Sequence, residues 1–103
     1  MKRIKHLIFT ILIIINFSLY SQEKEIIGLV KKEQINQKNI LVFIIENKER
    51  YEVTGKLASF IESFYNNQKI KVLGKITPYS DEEKKEKKLD GQIEIKEIIV
   101  TIQ

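Results

Sequence analysis

The side chains best suited to chemistry near neutral pH are scarce in this chain. It holds one histidine, His6, and no cysteine or tryptophan. Thiol chemistry needs cysteine and zinc sites draw mainly on cysteine and clustered histidine, so with a single histidine neither is expected. Hydroxyls remain, but Ser59 and Ser63 fall on the polar side of a helical pattern with no base in register, which reads as helix surface. Asp81, Glu82, Glu83, Glu86 and Asp90 gather the hard oxygens that calcium takes. Lys84, Lys85, Lys87 and Lys88 are interleaved with them, however, and the spacing of a calcium-binding helix-loop-helix is missing. Paired carboxylates for glycoside chemistry need a cleft to hold them apart, and no glycine-rich phosphate cradle occurs. The expectation is a protein that is not an enzyme and carries no metal or cofactor.

The N-terminus points to export. Lys2, Arg3, Lys5 and His6 precede an uncharged apolar run from Leu7 to Ile15, and Asn16 to Gln22 form a short polar exit, the three-part order of a secretory signal peptide over residues 1–21. An uncleaved anchor is the alternative, but a membrane span needs about 20 predominantly apolar residues, and here the strict run stops at Ile15. Without cysteine there is neither an acylated lipoprotein terminus nor a disulfide. Once cleaved, the protein is expected to be periplasmic or secreted, with no stable membrane insertion. Cleavage also changes the electrostatics. All 14 acids stay while three of the 18 bases leave with the signal, so the formal charge falls from +4 to +1. Basicity then gives no support for nucleic-acid binding. Residues 22–103 form a single domain, near the size at which one core suffices without disulfides or metals.

Its pattern is mainly β with one helix. Glu25 to Lys32 is rich in β-branched residues and reads as a first strand, bent or bulged at Gly28. Ile40 to Ile45 is a continuous apolar run, hence a strand buried on both faces, and Arg50 to Thr54 returns from a hairpin. The period then changes. Leu57, Phe60, Ile61 and Phe64 lie at helical spacing opposite Lys56, Ser59, Glu62 and Ser63, with Thr54 as N-cap and Asn66-Asn67 as the stop. Lys69 to Thr77 alternates as a fourth strand until Pro78. Residues 80–92 are almost devoid of apolar side chains and read as a flexible charged loop. In the last strand, Ile93 to Ile102, the apolar parity changes and predicts a β-bulge near Lys96-Glu97.

The order β1-β2-β3-α-β4-β5, carried by Gly28-Leu29-Val30, by Tyr51-x-Val53-x-Gly55 running into Leu57-Ala58, and by Lys69-Ile70-Lys71-Val72-Leu73-Gly74-Lys75-Ile76, resembles the OB-fold. That fold is a five-stranded Greek-key barrel closed by one helix, and the closest likeness is to small exported bacterial domains of the tRNA-anti-like group. The resemblance implies a ligand face around strands two and three, which here would hold Lys48, Arg50, Tyr51, the outward Ile40, Val42 and Ile44, and Tyr79 on the loop after strand four. Aromatics beside bases can stack sugars or nucleobases, so an oligonucleotide or oligosaccharide reader is one expectation. The competing reading makes Tyr51 core or rim packing and Tyr79 a loop aromatic over a barrel end. Strand two, moreover, is apolar on both faces, so something must cover the outer one: the helix, the long loop, a second copy or a partner. Apolar cover favours a protein partner or homo-oligomer over a polyanion.

Overall fold

The computed structural model describes residues 22–102; the signal-peptide reading of residues 1–21 lies outside them. The described part is mainly β. Its elements are β1 (Lys24–Ile35), β2 (Lys38–Ile45), β3 (Arg50–Thr54), α1 (Ala58–Tyr65), β4 (Lys69–Pro78), α2 (Asp81–Lys87) and β5 (Gly91–Ile102). Among the described residues no helix is long and apolar enough to cross a membrane.

The strands close into a ring whose spatial order is β1-β2-β3-β5-β4, with β4 returning to β1. Chain order does not survive in space: β5 inserts between β3 and β4, pairing parallel with β3 and antiparallel with β4. Closure depends on β1 serving two partners with different stretches. Its residues 28–35 pair with β2, while residues 24–29 pair with β4.

Alternation then sorts the side chains. Val30, Phe43, Tyr51, Val53, Ile70, Val72, Ile93 and Ile95 point inward and form the core with Ile61 of α1. Gly28 lies in regular register with both neighbours, so the expected bulge is absent there. Its role is space: a Cβ at Gly28 would stand 2.5 Å from Cε2 of Phe43, so only glycine lets that ring lie across β1. The bulge predicted in the last strand is present, with register shifts that leave Lys96 and Ile99 unpaired in β5.

Two local expectations need correcting. The buried side of α1 is Leu57, Ala58, Ile61 and Tyr65, rotated from the predicted stripe, and it leaves Phe60 and Phe64 exposed with their rings 4.8 Å apart. Thr54 does not cap that helix, because its hydroxyl donates to the Ile93 carbonyl within the β3–β5 pair. The second correction is that residues 81–87 are helical, and not loop. Ser80 forms a capping box with Glu83: its hydroxyl accepts from the Glu83 amide while the Glu83 carboxylate accepts from the Ser80 amide. Acids in the first turn and lysines in the last complement the helix dipole. These end effects supply what an apolar stripe does not.

Candidate functional site

The structure distributes the seven residues expected at a ligand face among the core, the outer cover and the β2–β3 turn. Tyr51 and Val42 are buried, and Tyr79 is only 8% exposed. Ile40 and Ile44 are half-buried, and Lys48 stands exposed in the β2–β3 turn with φ 70°. The cause is the segment between β4 and β5. Its Tyr79 and Leu89 pack with Val42 and Ile35, against Ile40 and Ile44, in a second small core on the outside of the ring. Of the covers that strand two required, the charged segment supplies this one from within the chain.

Arg50 fastens that cover. Its Nε and Nη2 donate to the two carboxylate oxygens of Glu33 at 3.1 and 2.6 Å, and its Nη1 donates to the Lys88 carbonyl at 2.9 Å. The Arg50 amide donates to Asp90 Oδ2, and the Asp90 amide returns a bond to the Arg50 carbonyl, both at 2.8 Å. A planar guanidinium suits this because it meets a carboxylate with two parallel bonds and still reaches a third acceptor. Asn36 adds a bond to the Glu86 carbonyl. With three of its guanidinium N–H groups bonded to the protein itself, Arg50 acts as a clamp on the cover.

Tyr51 is likewise structural. It packs in the core, and its hydroxyl donates to Glu49 Oε1 at 2.9 Å. Burial, followed by this carboxylate, drives the phenol well above its ordinary range. Glu49 moves the other way: bonds from Asn47 and then Tyr51 hold its carboxyl below the usual value. These opposed directions are those of a hydrogen bond that needs a neutral donor and a charged acceptor. Tyr79 differs in that its buried hydroxyl has no hydrogen-bond partner among the described residues; Lys87 Nζ stands 4.6 Å over its ring.

The surface left open is the continuation of the same outer strip, away from the cover. The registers set out its rungs. Ile44, Leu29, Lys69 and Ile102 lie side by side across β2, β1, β4 and β5; Ile27, Lys71 and Val100 make the next rung, and Glu25, Leu73 and Glu97 the one beyond. Ile27, Leu29 and Val100 are 42%, 37% and 48% exposed. Two adjoining shallow grooves share Ile27, Ile45 and Glu46 and carry Lys71 and Lys69 on their walls. Lys71 meets Glu25 at 3.6 Å, a half-exposed contact worth little alone. The result is an apolar face crossed by a lysine column and ended by two acids.

Among the described residues no three His, Cys, Asp or Glu side chains gather as a metal would require. Reading the sequence missed Ile27, Leu29 and Val100, although the signal was present: Ile26-Ile27-Gly28-Leu29-Val30 and Ile98-Ile99-Val100 are apolar on both faces, as strand two is. In comparisons with known proteins no family model matches the chain, and neither does any curated protein or solved structure.

Proposed function

We propose that this chain is an exported, non-enzymatic binding module on an OB-like Greek-key barrel, and that it contacts protein through the open face of β1, β4 and β5. The observation that carries the reading is the exposure of Ile27, Leu29 and Val100 on adjacent rungs of one sheet face. Singly exposed apolar residues need no explanation, whereas a contiguous group rimmed by charge marks an interaction surface. The ring order and the helix between β3 and β4 support the OB-like assignment. Export rests on the N-terminal pattern described above.

The alternative, an oligonucleotide or oligosaccharide reader on strands two and three, has less support. Tyr79 and Leu89 occupy the outer side of β2, and Arg50 is already paired with Glu33. A formal charge near +1 after signal removal offers no polyanion steering.

Site-specific photo-crosslinking in the cells that make the protein tests the proposal. A photoreactive residue at position 29 of the full-length chain is expected to give discrete protein adducts, while one at Ser63 on α1 gives few. Absence of adducts from position 29 at normal expression sinks the reading.

A further inference from the structure

Resting on that reading, we propose that the occupant of the open face is a second copy of this chain, packed face to face about a two-fold axis that runs across the strands. The argument is one of charge order. Along β4 the outward residues are Lys69, Lys71 and Leu73, and the Leu73 rung is flanked by Glu25 on β1 and Glu97 on β5. One end of the face is therefore acidic and the other basic, with Ile27, Leu29, Val100 and Ile102 beside the lysines.

A two-fold axis across the strands inverts the rungs. Glu25 and Glu97 of one copy then lie over the Lys69 end of the other, and the same contact repeats at the opposite end, as an isologous interface requires. An anionic membrane surface would match the lysines but be repelled by the acids. A copy of the same face satisfies both. The lysine stems can lie along the aliphatic side chains while their ammonium groups reach the partner's carboxylates.

The patch spans four strands at about 4.8 Å spacing and three rungs, which is smaller than the roughly 800 Å² per partner of a standard interface. Association is accordingly weak, with a dissociation constant on the order of 10–100 μM. It also weakens with added salt, because opposed charges order it.

The experiment is sedimentation over a concentration series bracketing that range, using the protein purified from expression of the full-length chain. Wild type is expected to pass from monomer to dimer, and Leu29→Lys to remain monomeric with an unchanged circular dichroism spectrum. The double variant Lys69→Glu with Lys71→Glu removes both lysines of the column, and the double variant Glu25→Lys with Glu97→Lys replaces the acids of the Leu73 rung, leaving Glu46 as the acid at the groove wall. Each is expected to be monomeric alone, and the two mixed to recover a heterodimer at least as tight as wild type. A wild-type protein that stays monomeric at the top of the series overturns the inference, as does a mixture that fails to associate. Crosslinks from position 29 to a different protein, with wild type monomeric, would overturn the second-copy occupant while leaving the binding-module reading standing.

Discussion

At the scale of single residues, close approach decides more than charge does. A Cβ at Gly91 would stand 2.4 Å from the Thr77 carbonyl oxygen and 2.9 Å from Pro78 Cα, both backbone, whereas at Gly28 it would meet the ring of Phe43. Gly91→Ala must push two strands apart, while Gly28→Ala can be met by rotation or shift of a side chain. Both are expected to destabilise by about 1–3 kcal/mol or more, with Gly91→Ala the larger in chemical denaturation. Tyr51 gives a prediction in pH. Its pKa is raised from the ordinary 10.0, so the stability it contributes is complete below pH 10 and is lost as pH climbs through the raised value. Wild type should therefore lose stability above pH 10 more steeply than Tyr51→Phe, which in turn forfeits about 0.5–1.5 kcal/mol at neutral pH with the Glu49 bond. The pairing of Tyr51 with Val53 on one face was legible from alternation. Its burial followed from that parity, and its hope of meeting a ligand from the resemblance alone.

At the scale of elements, the segment from Tyr79 to Asp90 behaves as a fastened cover whose apolar contact is two side chains, Tyr79 and Leu89. Much of its hold on the ring is polar and centred on Arg50. Arg50→Ala is expected to cost about 1–2 kcal/mol globally, but to raise amide hydrogen exchange in residues 81–90 far more than in β4. Arg50→Lys should rescue little, since an ammonium cannot reproduce the two-pronged bond to Glu33 and the third to Lys88. Equal exchange in wild type and Arg50→Ala would dismiss the clamp. Acid acts on the same element. Bonds from the Ser80 amide and hydroxyl hold the Glu83 carboxyl below its usual value, so its support is present above pH about 4.5 and fades as pH falls through the lowered value. Helix α2 escaped a reading built on hydrophobic periodicity because it has no apolar stripe. The spacing Ser80-x-x-Glu83 was its one local signature. Helix α1 was located correctly but turned wrongly: Phe60 and Phe64 fit the helical period as well as Ala58 and Tyr65, and only the position of the ring chooses between them.

At the scale of the whole molecule, β5 is the keystone, since Ile93 is paired on one side with Val53 and on the other with Ile76, and is fully buried. Ile93→Ala is expected to cost about 2–5 kcal/mol, a large part of the total stability of roughly 4–12 kcal/mol that a domain of this size commands. Val100→Ala, on the open face, should stay within about 0.5 kcal/mol when measured below the dimerising range. Similar losses for the two would contradict the assignment of an inner and an outer face to β5. The strands themselves were legible because alternation is local. The ring order was not, because a parallel pair between residues 51–54 and 91–94 leaves no mark in either stretch.

That parallel pair bears on how the chain can be handled before it folds. Residues 91–102 leave any machine that handles the polypeptide from its N-terminus after β1 to β4 have done so, and until they arrive β3 and β4 each lack a neighbour and the ring stays open. Early strands can meet as hairpins, yet a lone hairpin is marginal in water. A nascent chain of this design cannot lock into its final shape partway through a narrow passage. The order of emergence thus acts as a timer, keeping the polypeptide threadable until β5 arrives and then letting the ring close at once.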